Sequence, residues 1–142
     1  MAKNVKRKIK ARELGIAVAS GKEAELFKWF LASLLFGKPI QQAVAKRTYF
    51  EFEKAGLITP DKILRAGWNR LVKVLDRGHY VRYDFSTATK LLEICKELKQ
   101  EYGGVSRLLK FSKDRKDLER RLREFKGIGP VTAGIFLREI KL

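Results

Sequence analysis

The chain has 142 residues, 45% of them hydrophobic, enough for one domain with a buried core. Lys and Arg outnumber Asp and Glu by 32 to 16, a formal charge of +16, which points to a polyanionic partner held by salt-sensitive phosphate contacts. A single cysteine, Cys95, excludes an internal disulfide and any four-thiolate iron–sulfur cluster or zinc site.

Lone-cysteine usage also implies a reducing, intracellular setting: cytoplasm and nucleoid, or a nucleus. Lys3, Lys6, Arg7, Lys8, Lys10 and Arg12 precede the first acidic residue, Glu13, and form a basic arm over residues 1–20. Such an arm either touches phosphates or is a solvated terminus. No apolar core of signal-peptide length follows it. The apolar stretch 27–36 is too short to span a bilayer and Lys28 interrupts it, so no membrane partner is expected.

The helical domain then runs over 21–142. Ala24, Phe27, Phe30, Leu31, Leu34 and Leu35 recur at helical spacing, which predicts an apolar-faced helix from about 22 to 36. Gly37 ends it. Pro39 is expected to open the next helix, which carries Ile40, Val44 and Ala45 and runs to about 55–56. Thr59-Pro60-Asp61 is a start signal, with Thr59 as cap and Pro60 at the first helical position. Gly67 precedes a further helix through Leu71, Val74 and Leu75, broken at Gly78-His79-Tyr80.

Asp84 or Ser86 can cap the following helix, whose Ala88, Leu91, Cys95, Leu98 and Tyr102 share one face. Gly103-Gly104 stops that helix, a short piece spans 105–111, and Ser112-Lys113-Asp114 offers another cap. The helix after it buries Leu118, Leu122 and Phe125 and exposes Arg115, Lys116, Arg120, Arg121 and Arg123. No window alternates with period two for long enough to make a convincing strand, so the expected fold class is all-α, one domain of eight or nine helices.

The most informative segment is Leu122-Arg123-Glu124-Phe125-Lys126-Gly127-Ile128-Gly129-Pro130-Val131-Thr132-Ala133. It reads as helix, tight two-glycine turn, helix. Glycine at both turn positions permits positive φ and lets another molecule approach the main chain. Pro130 suits the first helical position. The amides of Gly129, Val131 and Thr132, with the Thr132 hydroxyl, are expected to point outward at the positive end of the helix dipole, where a phosphate binds.

Elsewhere the residues offer little chemistry. Cys95 is expected in the core. His79 is the sole histidine, too few for a metal site, and no cofactor is expected. The loop 78–84 mixes His79, Tyr80, Arg82 and Tyr83, which either stack on bases while holding phosphates or close the core. Trp29 and Trp68 read as packing residues. Lys38, Gln41 and Gln42 stand at a turn from which polar side chains can enter a DNA groove. Asp61, Asp76, Asp84, Asp114 and Asp117 read as caps or surface groups, none paired with a second carboxylate.

The segment 122–133 is similar to the hairpin of the helix-hairpin-helix base-excision DNA glycosylases, the endonuclease III-like superfamily. The likeness extends upstream. Phe30-Leu31-Ala32-Ser33-Leu34-Leu35-Phe36 resembles that family's first core helix, followed by its polar turn. Thr59-Pro60-Asp61-Lys62-Ile63-Leu64 resembles a short element after it. Ala88-Thr89-Lys90-Leu91-Leu92-Glu93-Ile94 with Glu101-Tyr102-Gly103-Gly104 resembles the long helix and stop ahead of the hairpin, which here covers about 115–141.

The resemblance implies binding of duplex DNA, intact or damaged, through Lys126, Gly127, Ile128, Gly129, Val131 and Thr132, with Lys38, Gln41, Gln42 and Arg82 as further contacts. It also implies base-excision repair, in which a damaged base swings into a pocket between helical subdomains. Family members that form a Schiff base carry a Lys in the turn, where this chain has Val131, so strand-cutting chemistry is not expected. The family's catalytic Asp lies about a score of residues beyond the hairpin. Here 13 residues follow Gly129, none is Asp, and Glu139 is the sole carboxylate among them. Base cleavage is therefore not supported by the residues present, unless an acid such as Asp84 serves. The alternatives are a non-enzymatic architectural DNA binder and an RNA-binding basic helical protein.

Overall fold

A computed structural model of the chain describes residues 8–142; Lys3, Lys6 and Arg7 of the basic arm lie outside the described residues. Among these the protein is a single all-α domain of seven helices: α1 (Glu23–Phe36), α2 (Gln42–Lys54), α3 (Pro60–Arg77), α4 (Asp84–Glu101), α5 (Val105–Phe111), α6 (Arg115–Glu124) and α7 (Pro130–Leu137). Short 3₁₀ turns at Ala11–Leu14, Val18–Ser20 and Val81–Tyr83 complete the described chain. α3 is interrupted at Gly67, whose φ 78° and ψ 170° are not helical, so two helical pieces meet there at a kink, as the sequence predicts; counted apart, they bring the helices to eight.

α1 is central. Leu26, Phe27, Trp29, Phe30, Leu31, Ala32, Ser33 and Leu35 are all buried, so this helix has no solvated stripe and is wrapped by its neighbours. Burying each large side chain contributes about 1.5–3 kcal/mol. The Trp29 indole N–H donates to the Phe136 carbonyl at 3.0 Å, tying α1 to α7. Tyr80, buried after α3, donates its hydroxyl to the Leu35 carbonyl near the end of α1. Burial pushes its phenol above the ordinary range.

Local signals explain several boundaries. The Thr59 hydroxyl accepts from the Lys62 amide at 3.1 Å, and Asp114 accepts from the Asp117 amide at 2.8 Å. Asp117 returns the favour, accepting from the Lys113 amide at 2.9 Å. Two expected starts differ. α2 begins at Gln42, with Gln41 as its extended cap, so Pro39 lies in the preceding turn and does not open the helix. Neither Asp84 nor Ser86 caps α4: the Asp84 carboxylate accepts from the adjacent Phe85 amide at 2.6 Å, and the Ser86 hydroxyl turns back to the Tyr83 carbonyl at 3.3 Å.

Longer-range polar ties lock the ends. The Glu23 carboxylate accepts from the Val105 and Ser106 amides at 2.9 and 2.7 Å, capping α5 from α1. Arg115 donates to the carbonyls of Leu137 and Ile140 at 2.6 and 2.9 Å, closing the end of α7. From Lys8 onward the basic arm lies against the domain. Ile9, Ala11, Leu14, Ile16 and Val18 are buried, and the Ala11 amide donates to Glu139 at 3.0 Å. Among the described residues no helix is long and apolar enough to cross a membrane.

Candidate nucleic-acid interface

The turn between α6 and α7 is pinned on both flanks by the core. Phe125, which ends α6, packs its ring against Phe30 (centroids 6.1 Å apart, 69° between planes) and against Tyr102 at 6.3 Å. Phe136 on α7 meets the same Phe30 ring edge-on at 5.8 Å and 86°. Ile128 is only 5% exposed, and its amide donates to the Phe125 carbonyl at 3.0 Å. The predicted contact Ile128 is thus an anchor: its side chain faces the core and only its main chain can meet a ligand.

Between these anchors stand the two glycines, with unlike roles. Gly127 has φ 99°, the left-handed region that a side chain avoids. Gly129 has φ −102°, so of the two positions at which glycine permits positive φ, Gly127 alone uses it. A Cβ on Gly129 would meet nothing within 4 Å, whereas one on Gly127 would meet the Lys90 side chain at 3.0 Å. Gly129 therefore leaves the main chain open without any internal need for glycine.

α7 begins at Pro130, with Gly129 as its extended cap. Its first backbone bond runs from the Ala133 amide to the Gly129 carbonyl at 3.0 Å. The amides of Val131 and Thr132 fall in the first turn, where the helix offers no partner. Val131 is 65% exposed, and Lys126 is exposed. The Thr132 hydroxyl departs from expectation: it is buried and directed at Gly37, not outward.

A cavity of about 230 Å³ opens beside this helix start. Its walls come from the turn and the first residues of α7, from Leu34, Gly37 and Lys38 at the end of α1, and from Thr87, Lys90, Leu91 and Ile94 on α4. Lys38 is thereby brought to the turn. Its ammonium lies 5.4 Å from the centre of the Tyr83 ring, whose other cationic neighbour is Arg82 at 5.5 Å. Burial, then the adjacent Lys90 side chain, lowers the Lys38 pKa to about 8. Thr87 is 3% exposed and its hydroxyl has no hydrogen-bond partner.

Gln41 and Gln42 are not part of this cavity. With Lys38 they border a separate, more open concavity between the α1–α2 turn and α7, whose far side is Ile135 and Arg138. Arg82 does not line the cavity; it flanks the Tyr83 ring, on which Lys38 also lies. Lys90 and Thr87 escaped the sequence reading, which scored α4 by its apolar positions. Their spacing was the available signal: Thr87, Lys90, Leu91 and Ile94 are three, four and seven residues apart, one stripe of a helix.

Other expectations resolve as follows. Cys95 is buried, and burial pushes its thiol up to about 12. Tyr80 closes the core, while Tyr83 stays half-exposed beneath Lys38. Trp29 packs inside, but Trp68 does not: it is 37% exposed and its ring lies 5.1 Å from that of Phe85, itself 60% exposed. The aspartates are not all solitary. Asp84 stands beside Asp76, and the hydrogen bond and like charge between the two carboxyls raise the Asp76 pKa above the ordinary carboxylate range. His79 adopts φ 68° and sets its Nδ1 2.7 Å from the Arg47 guanidinium. Comparison of the chain with protein-family models, with curated proteins and with solved structures yields no match.

Proposed function

We infer that this protein binds duplex DNA through the backbone amides of the α6–α7 turn, in the manner of the helix-hairpin-helix base-excision glycosylases it resembles in sequence. The observation that carries this reading is the opening at Gly129. An exposed helix start, free of any side chain in front of it, sits on a rigid mount formed by Phe30, Phe125, Ile128 and Phe136. Gly129 and Val131 would supply donors to a phosphate oxygen, the α7 dipole would favour its charge, and Lys126 would add a flexible cation. Contacts of this kind position a duplex without reading its sequence. The net charge of +16 supports the same partner.

Gly129→Leu tests the reading cleanly, since its backbone is one that leucine adopts and its Cβ meets nothing. The variant should keep its helicity and thermal midpoint while losing about tenfold or more in affinity for duplex, on the order of one or two charge-assisted hydrogen bonds. Unchanged affinity would make the turn purely structural. RNA outcompeting duplex DNA at equal salt would move the reading to an RNA binder.

Excision of a base is a second reading, favoured by the Asp76–Asp84 pair, in which Asp76 holds its proton to higher pH than an ordinary carboxyl. A panel of lesion-bearing duplexes, incubated with the protein and with Asp76→Asn, separates it from binding alone. Product that disappears in the variant supports excision; no product at saturating protein removes it.

A further inference from the structure

We propose that the cavity between the start of α7 and α4 is a binding site for a phosphate monoester, held by Lys38, Lys90, Thr87 and the α7 amides. Three independent features converge there. The Lys38 and Lys90 side chains meet across the cavity, and no carboxylate is among the residues that line it. Two amines so placed repel one another when both are charged, unless an anion lies between them. Burial first, and Lys90 second, hold the Lys38 pKa down, as expected of a cation in a recess with no anion beside it. Thr87, almost wholly buried in the cavity wall, carries a hydroxyl without a partner. A buried hydroxyl left unpaired costs free energy; it is closed to solvent here, so a ligand oxygen would offset that cost where the cavity wall yields to admit it. Finally, the first-turn amides of α7 border the same space and contribute the positive end of its dipole.

The charge selects the ligand class. An internal phosphodiester carries one negative charge, whereas a monoester carries about −1.5 to −2 at pH 7. Two lysines, a hydroxyl and a helix start match the monoester. A recess of about 230 Å³ also suits a terminal group that projects inward better than a continuous backbone passing over the surface. Two sources share this chemistry: the phosphorylated end of a nucleic-acid strand at a nick or gap, and a free mononucleotide. Naming the strand end as the source rests on the duplex-binding reading; the cavity's preference for a monoester does not.

The experiment separates the two. Inorganic phosphate is titrated into the protein by NMR, with the amides of Thr87 and Val131 as reporters. Affinities are then measured for gapped duplexes whose ends at the gap carry phosphates or hydroxyls, with a nucleoside 5′-monophosphate as competitor. The phosphorylated duplex should bind about tenfold more tightly than the hydroxyl form, the worth of one or two charge-assisted hydrogen bonds. That preference should vanish in the folded Lys38→Gln, Lys90→Gln double variant. Equal affinity for the two duplexes, with no phosphate-induced shift at Thr87 or Val131, overturns the monoester site and leaves duplex binding standing. Binding of the mononucleotide without either duplex sustains the site and removes DNA as its source.

Discussion

The Thr132 hydroxyl fills the space in which Gly37 would carry a side chain. A Cβ built on Gly37 would overlap Thr132 Oγ1 and lie 3.1 Å from both Thr132 Cβ and the Ser33 carbonyl. The end of α1 and the start of α7 therefore touch at a point where one of them has no side chain at all. Gly37→Ala should push α7 away from α1 and cost about 1–3 kcal/mol through overpacking. Thermal unfolding checks the cost. Amide shifts at Gly129 and Val131 check whether the displacement reaches the turn; no shift there would show that α7 does not transmit it.

Gly78 is a stricter case of the same kind. A Cβ there would lie 2.6 Å from the Thr48 Cα, which is backbone and cannot rotate away. Gly78→Ala should destabilise by about 3 kcal/mol, at the upper end of overpacking costs, and shift Tm downward by several degrees. Gly134→Ala is the contrasting control: its Cβ meets nothing within 4 Å and alanine is the better helix former, so Tm should hold or rise.

Lys38 should titrate visibly. In the folded chain its pKa is lowered to about 8 from an ordinary 10.5, mainly by burial, then by Lys90. Between those two values the unfolded chain binds the proton more tightly, so this group makes stability rise with pH from about 8 to 10.5. The groups facing it are Lys90 on α4 and the Tyr83 ring, which Arg82 also flanks. An NMR titration should find the Lys38 pKa partly restored in Lys90→Gln, with the remaining depression due to burial. Full persistence of the low value would assign it to burial alone. Affinity for a phosphate monoester should fall as pH rises through 8, because the cation that holds it is lost.

Asp117 should govern the acid limb of stability around α6. The Lys113 amide, then Arg120 and Arg121, hold its carboxyl well below the usual range. A depressed carboxyl stabilises above its unfolded pKa and loses that contribution as pH falls through the folded one. Asp117→Asn should flatten the fall in Tm below about pH 4, the ordinary carboxylate range. Asp114→Ala, which deletes the cap itself, should cost about 1 kcal/mol at neutral pH.

Caps and apolar spacing were readable because they are local. Thr59 and Asp114 announce their helices within three residues, and α1 reads as helix from its spacing alone. What that spacing hides is depth: an apolar-faced helix and one wrapped on all sides differ by what packs against Lys28 and Ser33, which no window contains. Thr132 misled for a related reason. A threonine three residues past a glycine turn reads as an outward donor, and only the distant Gly37 reveals the slot that draws its hydroxyl inward. Lys90 and Thr87 were invisible as a site because their partner Lys38 lies about fifty residues away on another element. Asp76 and Asp84 likewise meet only because the chain reverses at Gly78.

Phe30 touches both flanks of the turn, Phe125 on one side and Phe136 on the other. Its ring is a spacer, and its size sets how wide the mouth between α6 and α7 stands. Replacing it with leucine would narrow that gap without altering a single surface group. The calibre of the opening is thus encoded in a residue that no ligand ever reaches, and could drift or be tuned from within the core.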